Sequence, residues 1–116
     1  MTKVAISGYY GFNNFGDEAI LSVIINKLKF LNADITVFSS NPKFTKKNYG
    51  VKSVKNFDIL KVIMTLFKSD VLVSGGGSLL QDVTSAKSLL YYCFVIMTAL
   101  ILNKKVIIFA QGIGPI

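Results

Sequence analysis

Three segments of the 116-residue chain join glycines to side chains able to do chemistry. They are GYYGFNNFGDE at Gly8–Glu18, GGGSLLQD at Gly75–Asp82 and QGIGP at Gln111–Pro115. In the first, glycines at 8, 11 and 16 do not follow the G-x-G-x-x-G spacing of a dinucleotide-binding turn. Gly11 and Gly16 do have the spacing of a phosphate-binding P-loop, but Asp17 stands where that loop needs lysine. A carboxylate there repels a triphosphate, so a Walker-type NTPase is excluded. Asp17 has two readings, which are compatible. It is an N-cap whose carboxylate accepts backbone N–H groups at a helix start, or it is a catalytic or substrate-orienting carboxylate. Glu18 reads as a first-turn partner of the helix dipole. Gly11, Asn13 and Gly16 are candidate substrate contacts, with a simple turn as the alternative for the asparagine. Tyr9, Tyr10 and Phe12 read as loop packing or as a platform for a sugar ring.

In the second segment, Gly76 and Gly77 let a ligand approach the backbone closely. Ser78 can cap the helix that follows, whose free N–H groups favour an anion such as phosphate or carboxylate. A tight strand–helix crossing that tolerates no Cβ is the competing explanation. Gln81 can reach a sugar hydroxyl or can reinforce the helix start. In the third segment, Gln111 precedes Gly112. Its amide can bond a polar ligand or satisfy loop backbone.

Composition limits this chemistry. All 13 basic residues are lysines, and neither arginine nor histidine occurs. The chain therefore has no imidazole for acid–base work near neutral pH and no guanidinium for bidentate binding of carboxylate or phosphate. Net charge is +7, but the lysines are scattered, apart from Lys43, Lys46 and Lys47. This is not the concentrated, arginine-containing surface expected of a nucleic-acid binder. No cluster of metal-ligand residues is visible, so no bound metal is expected. The single cysteine, Cys93, lies in an apolar run and is expected as a buried core thiol in a reducing cytoplasm. Met1-Thr2-Lys3 leads straight into a short strand and not into a long apolar run, so no signal peptide is expected.

The segments must be carried by the elements around them. Lys3–Ser7, Asp34–Ser39, Val71–Ser74 and Val106–Ala110 read as strands, with Val51–Val54 a shorter fifth. Helices are predicted over 17–31, with Ile20, Val23, Ile24, Leu28 and Leu31 as an apolar stripe broken only by Lys27, over 57–67, with Ile59, Leu60, Ile63, Met64 and Phe67 as the apolar side, and over 87–102. Asn41 to Gly50 reads as a polar connection. Alternating strands and helices imply an α/β fold, a Rossmann-like parallel sheet with helices on both faces. Ligands of such sheets bind beyond the carboxyl ends of the strands, where all three Gly-rich segments lie.

Half the residues (52%) are hydrophobic and mean hydropathy is +0.54, high for a free-standing domain of this size. Together with the ending at Gly114-Pro115-Ile116, this predicts that residues 1–116 form a single domain of a longer chain. The longest apolar run, Leu89–Leu102, is too short to span a bilayer and reads as a buried helix, which leaves room for contact with the inner membrane face.

The stretches GYYGFNNFGDEAIL (8–21), VLVSGGGSLLQD (71–82) and KKVIIFAQGIGPI (104–116), taken in this order, resemble the polysaccharide pyruvyl transferase family, the CsaB-like group. The resemblance covers nearly the whole chain but only the N-terminal portion of the family. It implies the N-terminal half of a two-domain, GT-B-like enzyme with its active site between the halves. It implies transfer of the enolpyruvyl group of phosphoenolpyruvate, as donor substrate and with no cofactor, to two hydroxyls of a sugar, forming a ketal. In this group the acceptor is an N-acetylmannosamine of a lipid-linked cell-wall precursor. The family's acidic residue in the GDE turn maps onto Asp17, whereas its catalytic histidine and its arginines for phosphoenolpyruvate have no counterpart here. The partners expected are therefore a C-terminal domain and a lipid-linked saccharide at the inner face of the membrane, with no nucleic acid. Two other readings share the architecture: half of a sugar-nucleotide-dependent glycosyltransferase, and a non-catalytic module binding a nucleotide or sugar phosphate.

Overall fold

The computed structural model describes residues 2–7, 15–74 and 86–108. Five strands, β1 (Lys3–Ser7), β2 (Asp34–Ser39), β3 (Lys52–Lys55), β4 (Val71–Ser74) and β5 (Lys105–Ile108), form one sheet of order β3-β2-β1-β4-β5. All pairings are parallel, with Val4 opposite Ile35 on one side and opposite Val71 on the other. The helices are α1 (Phe15–Phe30), α2 (Pro42–Tyr49), α3 (Ile59–Lys68) and α4 (Ala86–Ile101). This is the α/β Rossmann-like architecture that the alternation of elements implies.

The sheet separates two cores. Val4, Ile6, Ile35, Val37 and Val73 pack on one side with Leu21, Ile24 and Ile25 of α1. Ala5, Phe38 and Leu72 pack on the other with Val62 and Leu66 of α3 and Tyr91, Val95 and Ala99 of α4. Side chains of β1 and β4 alternate strictly between the two, as strand geometry requires.

The helix ends have local causes. α1 and α4 both stop at an asparagine in the left-handed region, Asn32 (φ 58°) and Asn103 (φ 62°). The next N–H reaches back five residues, from Ala33 to the Leu28 carbonyl and from Lys104 to that of Ala99. Both are Schellman closures, which release the chain directly into β2 and β5. The stretch expected as a polar connection is instead α2. Asn41 caps it by accepting from the Phe44 N–H, Pro42 supplies a preset φ at its first turn, and Gly50 ends it at φ 63°. Its polar composition concealed a helix whose only fully buried side chain is Thr45.

The apolar stripes also turn differently. In α1 the inward set is Leu21, Ile24, Ile25 and Leu28, while Val23 and Leu31 are exposed. That set avoids Lys27, the residue that broke the expected stripe. In α3 the inward residues are Val62 and Leu66, and Ile59, Leu60, Met64 and Phe67 of the expected core side are exposed. Cys93 is exposed, contrary to expectation. At 100° per residue it sits on the far side of α4 from Tyr91, Val95 and Ala99. α4 is apolar all round, so periodicity could not say which face the sheet takes. Among the described residues no helix is long and apolar enough to cross a membrane.

Leu66→Ala should therefore cost about 2–5 kcal/mol in urea denaturation. Leu60→Ala should stay within about 0.5 kcal/mol. The reverse order would mean that α3 packs on its other face.

Candidate functional site

The sheet grows from β1 through β2 to β3, then α3 carries the chain back across to β4 on the other side of β1. The carboxyl ends of β1 and β4 therefore lie side by side at the point where strand order reverses. In open α/β sheets this is where a crevice forms and ligands bind. The Gly-rich segments depart from the ends of β1, β4 and β5, which are consecutive strands on one edge of the sheet.

Each of the first two strands ends in a serine. Ser7 and Ser74 are register partners, and both are buried. Alternation from Ala5 and Leu72 puts both hydroxyls on the sheet face covered by α3 and α4. The Ser7 hydroxyl has no hydrogen-bond partner among the described residues. Next along the edge, Ser39 ends β2 and is fully buried but satisfied. Its Oγ accepts from the Asn41 N–H at 3.0 Å and from the Thr45 hydroxyl at 2.8 Å. Asn56 follows β3, and its N–H donates to the Ser39 carbonyl at 3.0 Å. Its buried Oδ1 has no hydrogen-bond partner among the described residues. These buried polar atoms mark the edge as polar. By contrast, the groove at the end of α1, lined by Asn26, Lys27, Phe30 and Leu31, opens on the opposite edge of the sheet.

Of the residues singled out in the sequence, Gly16 and Asp17 lie in the first turn of α1. The helix begins two residues before Asp17, which places it in the first turn instead of at the N-cap position. The α1 start directly follows the segment leaving β1, which keeps Asp17 on the carboxyl edge. Gly11, Asn13, Gly76, Gly77, Ser78, Gln81, Gln111 and Gly112 lie outside the described residues. Among the described residues no three histidine, cysteine or acidic side chains gather to hold a metal ion. Burial pushes the Tyr91 phenol, on α4 beside Phe57, above its usual range. Burial therefore favours its protonated form.

Sequence reasoning missed Ser7, Ser74 and Asn56. For the serines a signal was present: Ile-Ser-Gly and Val-Ser-Gly end two apolar strands in the same way. Asn56 gave none, since a lone asparagine after a short strand reads as an ordinary turn.

Ser39→Ala leaves the Thr45 hydroxyl and the Asn41 N–H without their acceptor and should cost about 1–3 kcal/mol. Ser7→Ala removes a hydroxyl that makes no bond to the described residues and should change stability by under about 0.5 kcal/mol. Chemical denaturation of the two variants checks the contrast.

The family model described as polysaccharide pyruvyl transferase matches residues 14–116. No curated protein matches the chain.

Proposed function

Because the chain belongs to the polysaccharide pyruvyl transferase family, a family of transferases, we propose that it is the acceptor-binding half of an enzyme that moves the enolpyruvyl group of phosphoenolpyruvate onto a lipid-linked saccharide. The observation that carries this reading is the family match, which runs from inside the first Gly-rich segment to the end of the third. The convergence of the three segments on adjacent strand ends supports it, because a sugar and an anion then meet at one crevice.

The chemistry divides between two walls. Ketal formation joins two sugar hydroxyl oxygens to C2 of phosphoenolpyruvate while its C2–O bond breaks to release phosphate. It needs an acid to protonate the methylene carbon and a base to take the hydroxyl protons, one of which leaves with the phosphate. Asp17, in the first turn of α1, is suited to the second task or to orienting the acceptor. Phosphoenolpyruvate carries a phosphate and a carboxylate, which call for arginine, histidine or lysine. With no arginine and no histidine in these 116 residues, the acid and most of the anion-binding groups belong to a second domain, as in a GT-B-like enzyme. Gly76, Gly77 and Ser78 would then meet the substrate from this side, with Gln81 and Gln111 on its hydroxyls.

In the full-length enzyme, supplied with phosphoenolpyruvate and a lipid-linked disaccharide, Asp17→Ala should lower pyruvyl transfer by about 10²–10⁴-fold. Wild-type turnover in that variant removes Asp17 from the mechanism. Residues 1–116 alone should show no transfer, and a measurable rate from them would overturn the division into two walls. Consumption of a sugar nucleotide in place of phosphoenolpyruvate would favour the glycosyltransferase reading.

A further inference from the structure

The face of the domain formed by α3 and α4 carries more apolar surface than the sheet beneath it can bury. The two helices lie side by side and run in the same direction. Phe57, just before α3, stacks near Tyr91 of α4 at 5.0 Å between ring centroids. At the other end the Lys104 ammonium, just past α4, sits 5.9 Å from the centroid of the Phe67 ring. Each helix turns one stripe inward and a second apolar stripe outward. On α3 the outer stripe is Leu60, Met64 and Phe67, exposed by 76%, 56% and 65%. On α4 it includes Leu90, Met97 and Ile101, all more than half exposed. Single exposed leucines are ordinary, but a continuous apolar patch on two neighbouring helices marks an interaction surface.

Charge identifies what covers it. Neither α3 nor α4 contains an acidic residue, while Lys61, Lys68 and Lys104 stand beside the patch. The two acids that flank α3 are engaged at its ends. Asp58 caps the helix by accepting from the Lys61 N–H and forms an exposed ion pair with the Lys61 ammonium at 3.9 Å, and Asp70 accepts from the Lys3 N–H at 2.9 Å. A second copy of the chain would set these lysines against the same lysines. A surface of anionic phospholipid satisfies both features, because its headgroups meet the ammonium groups and its acyl boundary takes the leucine, methionine and phenylalanine side chains.

We propose that the α3–α4 face docks the protein onto an anionic membrane surface without spanning it. The proposal is independent of the reaction, so the two can fail separately. The test is co-sedimentation of the full-length protein with phosphatidylcholine vesicles, either pure or containing about one third phosphatidylglycerol. Binding should need the anionic lipid and weaken as salt rises. The triple variant Lys61→Glu/Lys68→Glu/Lys104→Glu should bind at least about tenfold more weakly. So should Leu60→Ser/Met64→Ser/Met97→Ser, which changes only exposed side chains and should keep the wild-type circular dichroism. The equal charge change Lys43→Glu/Lys46→Glu/Lys47→Glu, on α2 across the sheet, should cost markedly less. Absence of binding to the anionic vesicles overturns the proposal. So does an α2 variant as impaired as the α3–α4 variants, or a dimer that the serine variant dissociates.

Discussion

The domain rests on the burial of β1. This five-residue strand is hydrogen-bonded to β2 on one side and β4 on the other, and helices cover both of its faces. Only small or apolar uncharged side chains fit there, and Val4, Ala5, Ile6 and Ser7 are all buried. A strand so enclosed has one exit, upward from its carboxyl end. The chain that leaves it passes through α1 to β2 on one side, while β4 pairs parallel to β1 on the other and leaves at the same edge. The crevice between the two departures follows from the topology. The Gly-rich segments, the buried hydroxyl of Ser7 and the first turn of α1 are all consequences of where that strand ends.

The parallel sheet was legible in the sequence because strands buried on both faces need unbroken apolar runs, and β1, β2 and β4 have them within a residue of their observed limits. The edge proposed for the site was read from the glycines and polar residues that sit directly after those runs. Helix faces were not legible. α1 and α4 are apolar on more than one side, so two stripes competed and the packing against the sheet chose between them. α2 escaped because its helical signals are at its ends, in Asn41, Pro42 and Gly50, and not in any apolar period. Asp17 was read at a helix start, and it lies in the first turn of α1, two residues past the first helical residue.

A surplus of apolar surface and a set of chemical absences have a common meaning. Leu60, Met64 and Phe67 are exposed beyond the core beneath them, and the chain offers neither arginine nor histidine to the anionic groups of the proposed donor. Both features describe a domain that works against other surfaces. A second domain would supply the missing charges at the carboxyl edge, and a lipid surface would meet the apolar helices along one side. A saccharide carried on a lipid connects the two demands, since its sugar must reach the crevice while its tail stays in the bilayer.

The most direct measurement is a crystal structure of the full-length enzyme with phosphoenolpyruvate and an acceptor saccharide bound. If the carboxyl edge is the site, the saccharide lies against the ends of β1 and β4, with a hydroxyl in contact with the Asp17 carboxylate. A saccharide bound at the groove by Phe30 and Leu31, or held entirely by another domain with no contact to these strand ends, would contradict it.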